Sequence, residues 1–141
     1  MHVYWHMKSQ LILRDDELLL EYVENFNRIF YRDTSKLTPV AVAKLKRFVN
    51  QKLRGHFAYE ERRIFPALLR AGFGVKVTLC IAGLRKDHAR FLKETKRLSR
   101  LLSTPAPTAA DFKVLRKALL DFGARLRKHS TKENELFPSL V

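Results

Sequence analysis

Residues 112–138 read FKVLRKALLDFGARLRKHSTKENELFP. Within them Phe112, Leu115, Leu119, Phe122, Leu126, His129, Glu133 and Leu136 recur at spacings that alternate three and four. That is the period of a helix packed in a bundle, with one face turned inward along its length. The stripe is apolar until its last turns, where a His and a Glu enter four residues apart. Residues i and i+4 share one face of a helix, so the imidazole and the carboxylate aim at the same interior point. The segment starts near Ala109, and Pro138 marks its end.

The same phrase occurs once more. His56-Phe57-Ala58-Tyr59-Glu60-Glu61 runs on to Ile64-Phe65-Pro66-Ala67-Leu68, and His129-Ser130-Thr131-Lys132-Glu133-Asn134 runs on to Leu136-Phe137-Pro138-Ser139-Leu140. Each is a His, a Glu four residues later, and an apolar-Phe-Pro-small-Leu ending. Imidazole nitrogen and carboxylate oxygen together suit borderline divalent metals such as iron, zinc and manganese. Two such pairs on separate helices can build a metal site between them.

Three further segments complete the pattern. The first spans about Gln10 to Tyr31, with an inward stripe of Ile12, Asp16, Leu19, Val23, Phe26 and Phe30. Thr38-Pro39 opens the second, with Thr as cap and Pro in the first turn. Its stripe includes Leu45, Val49, Leu53, His56, Glu60 and Ile64; Pro66 is expected to kink or interrupt it, and Gly72 and Gly74 to end it. The third spans about Val75 to Leu102, with Ile81, Leu84, His88, Phe91, Thr95, Leu98 and Leu102 inward. Ser103-Thr104-Pro105-Ala106-Pro107-Thr108 is the clearest loop. Strand signals are poor, connections are short and no linker divides the chain. The expectation is one all-α domain over residues 1–141, an up-down-up-down antiparallel four-helix bundle.

Composition narrows the setting. A chain of 141 residues with 46% hydrophobic content, including ten Phe, can bury a real core. The single cysteine, Cys80, allows neither an internal disulfide nor a thiolate cluster, and is read as a small core residue. No apolar run has the length of a signal peptide or a membrane span, and the expected location is the cytosol. The net charge of +14 would attract anions such as nucleic acid or acidic lipid. Because the basic residues are dispersed, they read first as solvated helix faces. Nothing in the pattern sets an oligomeric state.

The decisive polar residues are those at inward positions: Asp16, His56, Glu60, His88, His129 and Glu133. Every helix contributes at least one, and in an antiparallel bundle all six meet at the same end. A lone inward His is usually a satisfied core histidine. Burying three acids unpaired is very costly, and a coordinating metal would neutralise them. A metal site is therefore the preferred reading over a structural polar network.

On these residues, with Asp87-His88 and the two Phe-Pro endings, the whole chain resembles the hemerythrin-like, or HHE cation-binding, domain. The resemblance implies a hemerythrin-like bundle around a non-haem di-iron site. In it carboxylates like Glu60 and Glu133 bridge two irons, and histidines like His56, His88 and His129 cap them. Two positions depart from the family. The first-helix His is replaced by Asp16, within Asp15-Asp16-Glu17-Leu18-Leu19-Leu20, and the second third-helix His of the oxygen carriers is replaced by Leu92. Asp16 could ligate as a carboxylate, and Glu61 could fill a vacancy although it lies about 100° around the helix from Glu60. A weakened, mononuclear or empty site is the other outcome. His2 and His6 precede the bundle and are expected not to ligate, and Tyr22 and Tyr59 are read as packing residues. The implied role is iron handling or sensing of oxygen, nitric oxide or peroxide. The rivals are an oxygen- or peroxide-activating di-iron enzyme and a basic anion-binding bundle whose metal site has decayed.

Overall fold

The computed structural model describes residues 38–105 and 108–136, together with 17, 18, 20, 21, 24, 25 and 28. Those positions between 17 and 28 are all helical. The expected inward stripe of that first segment, with Asp16, lies outside the described residues, as do His2, His6, Tyr22 and the Phe137-Pro138 ending.

Thr38 caps the next rod through its hydroxyl, which accepts from the Ala41 N–H at 3.1 Å, and Pro39 sits in the first turn, where its missing N–H costs nothing. The rod runs as α1 (Pro39–Arg47), a π-helical turn π1 (Phe48–Lys52), α2 (Leu53–Tyr59), a second π turn π2 (Glu60–Ile64) and α3 (Phe65–Ala71). The π turns are marked by bonds five residues long, Leu53 N–H to the Phe48 carbonyl and Phe65 N–H to the Glu60 carbonyl. Pro66 accounts for the second. It cannot donate, and its ring would collide with the Arg62 carbonyl four residues back; the widened turn just before it makes room. The expected interruption therefore takes the form of a π turn through which the chain stays helical. Gly72, at φ 68° in the left-handed region, ends α3.

α4 covers Val75–Leu102 and α5 covers Ala109–Leu136. At the start of α5 a reciprocal capping pair forms: Asp111 N–H donates to the Thr108 hydroxyl at 3.2 Å, and Thr108 N–H donates to the Asp111 carboxylate at 2.9 Å. Cross-links fix the directions. Asn50 meets Ser99 and Glu61 meets Arg85, so α4 runs antiparallel to the first rod; His88 meets His129 and Glu94 meets Arg125, so α5 runs antiparallel to α4. No strand occurs among the described residues.

The core is layered. One apolar cluster gathers residues such as Leu53, Phe57, Phe91, Leu98, Phe122 and Leu126. A second gathers Ile64, Phe65, Leu68, Ile81, Leu84 and Leu136, with Cys80 packed against it. Along each rod the positions between these two sets are polar: His56 and Glu60, then His88, then His129 and Glu133, all buried. Every inward position expected for the second, third and fourth segments is buried. No helix among the described residues is long and apolar enough to cross a membrane.

Phe91 joins the lower apolar layer to the polar one, with ring contacts to Phe57, Phe122 and His129 at 5.4–5.6 Å. Phe91→Ala should destabilise the metal-free protein by about 3–5 kcal/mol in urea unfolding. A loss under about 1 kcal/mol would show that this ring is not core.

Candidate metal centre

Three imidazoles and two carboxylates converge between the apolar layers. His56 Nε2 lies 3.0 Å from Glu60 Oε1 and 4.0 Å from Glu133 Oε2. His88 Nε2 lies 3.5 Å from Glu60 Oε1, 3.9 Å from Glu133 Oε1 and 3.2 Å from His129 Nε2. His129 Nε2 lies 2.8 Å from Glu133 Oε1. One ligand atom from each of Glu60, His88, His129 and Glu133 falls within 4.8 Å of all the others, the spacing of a group that can hold a metal ion. The two His-Glu pairs owe their convergence to the four-residue repeat, and His88 reaches them from the antiparallel rod between.

The ring nitrogens that face away have their own partners. His88 Nδ1 donates to Glu61 Oε1 at 2.9 Å, and Glu61 Oε2 accepts from Arg85 Nε at 3.1 Å. His129 Nδ1 donates to Asp87 Oδ2 at 3.0 Å, which also accepts from Lys132 Nζ at 3.0 Å. Outer carboxylates of this kind assign the tautomer: the proton sits on Nδ1 and the Nε2 lone pair points inward. Aromatic rings hold the planes. Phe57 stacks on the His88 ring at 4.1 Å and Phe65 lies nearly parallel to it at 5.6 Å, while Phe91 meets His129 edge-on.

The inward atoms are therefore almost all acceptors. With both Nδ1 protons donated outward, the His88 and His129 lone pairs face each other across 3.2 Å. Both oxygens of Glu60 and both of Glu133 are out of water and make no hydrogen bond among the described residues. Buried carboxylate oxygens without donors are rare and costly, and a cation relieves all four at once. The donor set of neutral imidazole nitrogen and carboxylate oxygen fits a borderline divalent metal.

The sequence profile of the hemerythrin HHE cation-binding domain matches residues 15–140. The chain belongs to that family. No curated protein and no solved structure matches it. The five residues that meet here, His56, Glu60, His88, His129 and Glu133, all lie within the matched span. Leu92, at the position of the oxygen carriers' second third-helix His, is half-buried against the lower apolar cluster. Glu61 does not join the inward ring; both its oxygens face outward partners. Tyr59 is 42% exposed. Asp87 carries a role that its place in the Asp87-His88 motif did not reveal. Its only sequence signal is adjacency to a candidate ligand, whereas its partner His129 lies 42 residues away.

The protonation of the metal-free centre follows from the same geometry. Burial alone would raise the Glu60 carboxyl, but the His56 and His88 imidazoles outweigh it and hold the pKa at about 2. Burial alone would lower His88, but Glu133 and Glu60 outweigh it and push the pKa up to about 9. For His129 the carboxylates of Glu133 and Asp87 likewise overcome burial and raise it, and hydrogen bonds from His129 and Lys132 lower Asp87 against its own burial. Without metal, protonated imidazole does part of the work that a cation would do.

His88 contributes stability that is complete below its ordinary pKa of 6.5 and is lost as pH rises through about 9, whereas Glu60 contributes above 4.5 and loses its share as pH falls through about 2. The urea midpoint of the metal-free protein should therefore fall between about pH 6 and pH 9.5; a rise over that range would contradict the arrangement. Asp87→Ala should weaken metal affinity by about 10–100-fold in chelator competition, and unchanged affinity would mean that Asp87 does not orient His129.

Proposed function

We propose that this chain is a non-haem di-iron protein that handles iron or senses oxygen, nitric oxide or peroxide in a reducing, cytosolic setting. The observation that carries the reading is the set of four buried carboxylate oxygens on Glu60 and Glu133, ringed by the Nε2 atoms of His56, His88 and His129. Glu60 and Glu133, grouped with the imidazoles of His56, His88 and His129, would hold the metal together with those three histidines. The first segment, about Gln10 to Tyr31, is proposed to close a four-helix bundle and to bring Asp16 to the centre as a further oxygen ligand. Zinc or manganese would satisfy the same donors, and family membership favours iron.

Bound iron would supply a redox couple and an open coordination position for a small ligand. The residues of the chain do the rest. Glu61 and Asp87 keep the His88 and His129 Nε2 lone pairs aimed inward. The Phe57, Phe65 and Phe91 rings pack against those imidazoles and keep bulk water from their faces. The dispersed positive charge is proposed as a solubilising surface with general affinity for anions.

Reconstitution with ferrous iron under anaerobic conditions, followed by metal analysis and absorbance spectroscopy after oxidation, tests the reading. It predicts about two irons per chain and a ligand-to-metal charge-transfer band. Iron at background level would sink it. His129→Ala should lose half the bound iron or more, and an unchanged stoichiometry would remove His129 from the site. Peroxide consumption that requires the iron form would favour the enzymatic alternative.

A further inference from the structure

Beside the ring of ligands, a cavity of about 360 Å³ opens to solvent between α2 and α4. That volume is at the lower end of small-molecule pockets, about 300–1,000 Å³, and suits a compact ligand. Phe57 and His88, both buried, form its floor, and Ala89 and Leu92 add apolar wall. Arg54 and Arg85 bring two positive charges to it.

The two arginines are in different states. Arg85 Nε is engaged by Glu61 Oε2 at 3.1 Å. Glu61 has both oxygens engaged, because its other oxygen holds His88 Nδ1 at 2.9 Å. Arg54 Nε is shielded from water and meets no acceptor among the described residues. Buried N–H donors are rarely left so, and Glu61, the carboxylate of the lining, bonds Arg85 and His88 and not this donor. The lining therefore carries one unbalanced positive charge beside an apolar surface. A guanidinium fork matches a carboxylate, and a dianion such as phosphate would need more donors than this wall offers.

We propose that this cavity binds a small amphipathic carboxylate, with its carboxylate on Arg54 and its apolar body against Phe57, Ala89 and Leu92. The binding needs no metal. It stands on the cavity and on the buried donor, and it places the ligand against the outer side of His88.

Calorimetric titration of the full chain with benzoate, benzyl alcohol and inorganic phosphate at fixed ionic strength tests the assignment. Benzoate should saturate a single site at least about tenfold more tightly than either of the others, since only it offers both a charged acceptor and an apolar body. Arg54→Gln should weaken benzoate about tenfold or more while helical content and bound metal stay unchanged. Ala89→Phe should fill the cavity and abolish the site. Benzoate binding that survives Arg54→Gln, or phosphate binding as tight as benzoate, would overturn the proposal and leave general attraction to a +14 surface. If Arg54→Gln does not fold, the unmodified protein decides: equal affinity for benzoate and benzyl alcohol overturns it. Metal content measured on the same samples reports separately on the di-iron reading.

Discussion

Two carboxylates, Glu60 and Glu133, are buried with all four oxygens out of water, and the rest of the centre is arranged around that cost. An uncompensated carboxylate inside an apolar core is among the least favourable things a fold can contain. Here two of them sit between two apolar layers, one built around Phe57, Phe91 and Leu126, the other around Phe65, Leu84 and Leu136. The layers keep water out, and exclusion of water strengthens whatever balances the charge. The imidazoles of His56, His88 and His129 supply lone pairs rather than charge when neutral. A divalent cation and a proton on His88 are thus competitors for one role. The raised His88 pKa is what the site does when it holds only protons.

The outer carboxylates make this competition directional. Glu61 and Asp87 each take the Nδ1 proton of a central imidazole and are held in turn by Arg85 and Lys132. This fixes which nitrogen faces the centre, and it spends two acids without adding their charge to the buried set. The π turn at Glu60–Ile64 belongs to the same arrangement. It absorbs Pro66 within a helix that must carry Glu60 inward and Glu61 outward at successive positions.

Much of this was legible in the residues. Every inward position that helical spacing named along the last three segments proved buried, including His88 and Thr95, while Phe48, Phe57, Phe65 and Leu68 are buried beside them. The His-Glu repeat named four of the converging residues, because i to i+4 proximity is a property of the helix itself. What escaped were features that depend on a second rod. Asp87 entered only as the neighbour of His88 in the Asp87-His88 motif, and its role needed His129 beside it; Glu61 looked like a spare ligand until His88 and Arg85 claimed its two oxygens. Pro66 announced a disturbance, but whether a proline yields a kink, a break or a π turn depends on how firmly the neighbouring rods hold the chain on either side. Arg54 gave no sign in the sequence, since an unpartnered donor exists only once its surroundings are built.

Crystallography of ferrous-loaded protein with anomalous scattering at the iron edge tests the central claim most directly. The account predicts two anomalous peaks in the space between Glu60, Glu133 and the imidazoles of His56, His88 and His129, each about 2.0–2.2 Å from the ligand atoms nearest it. Water at that position, with no anomalous signal after loading and with the carboxylates hydrogen-bonded to protonated imidazoles, would contradict it.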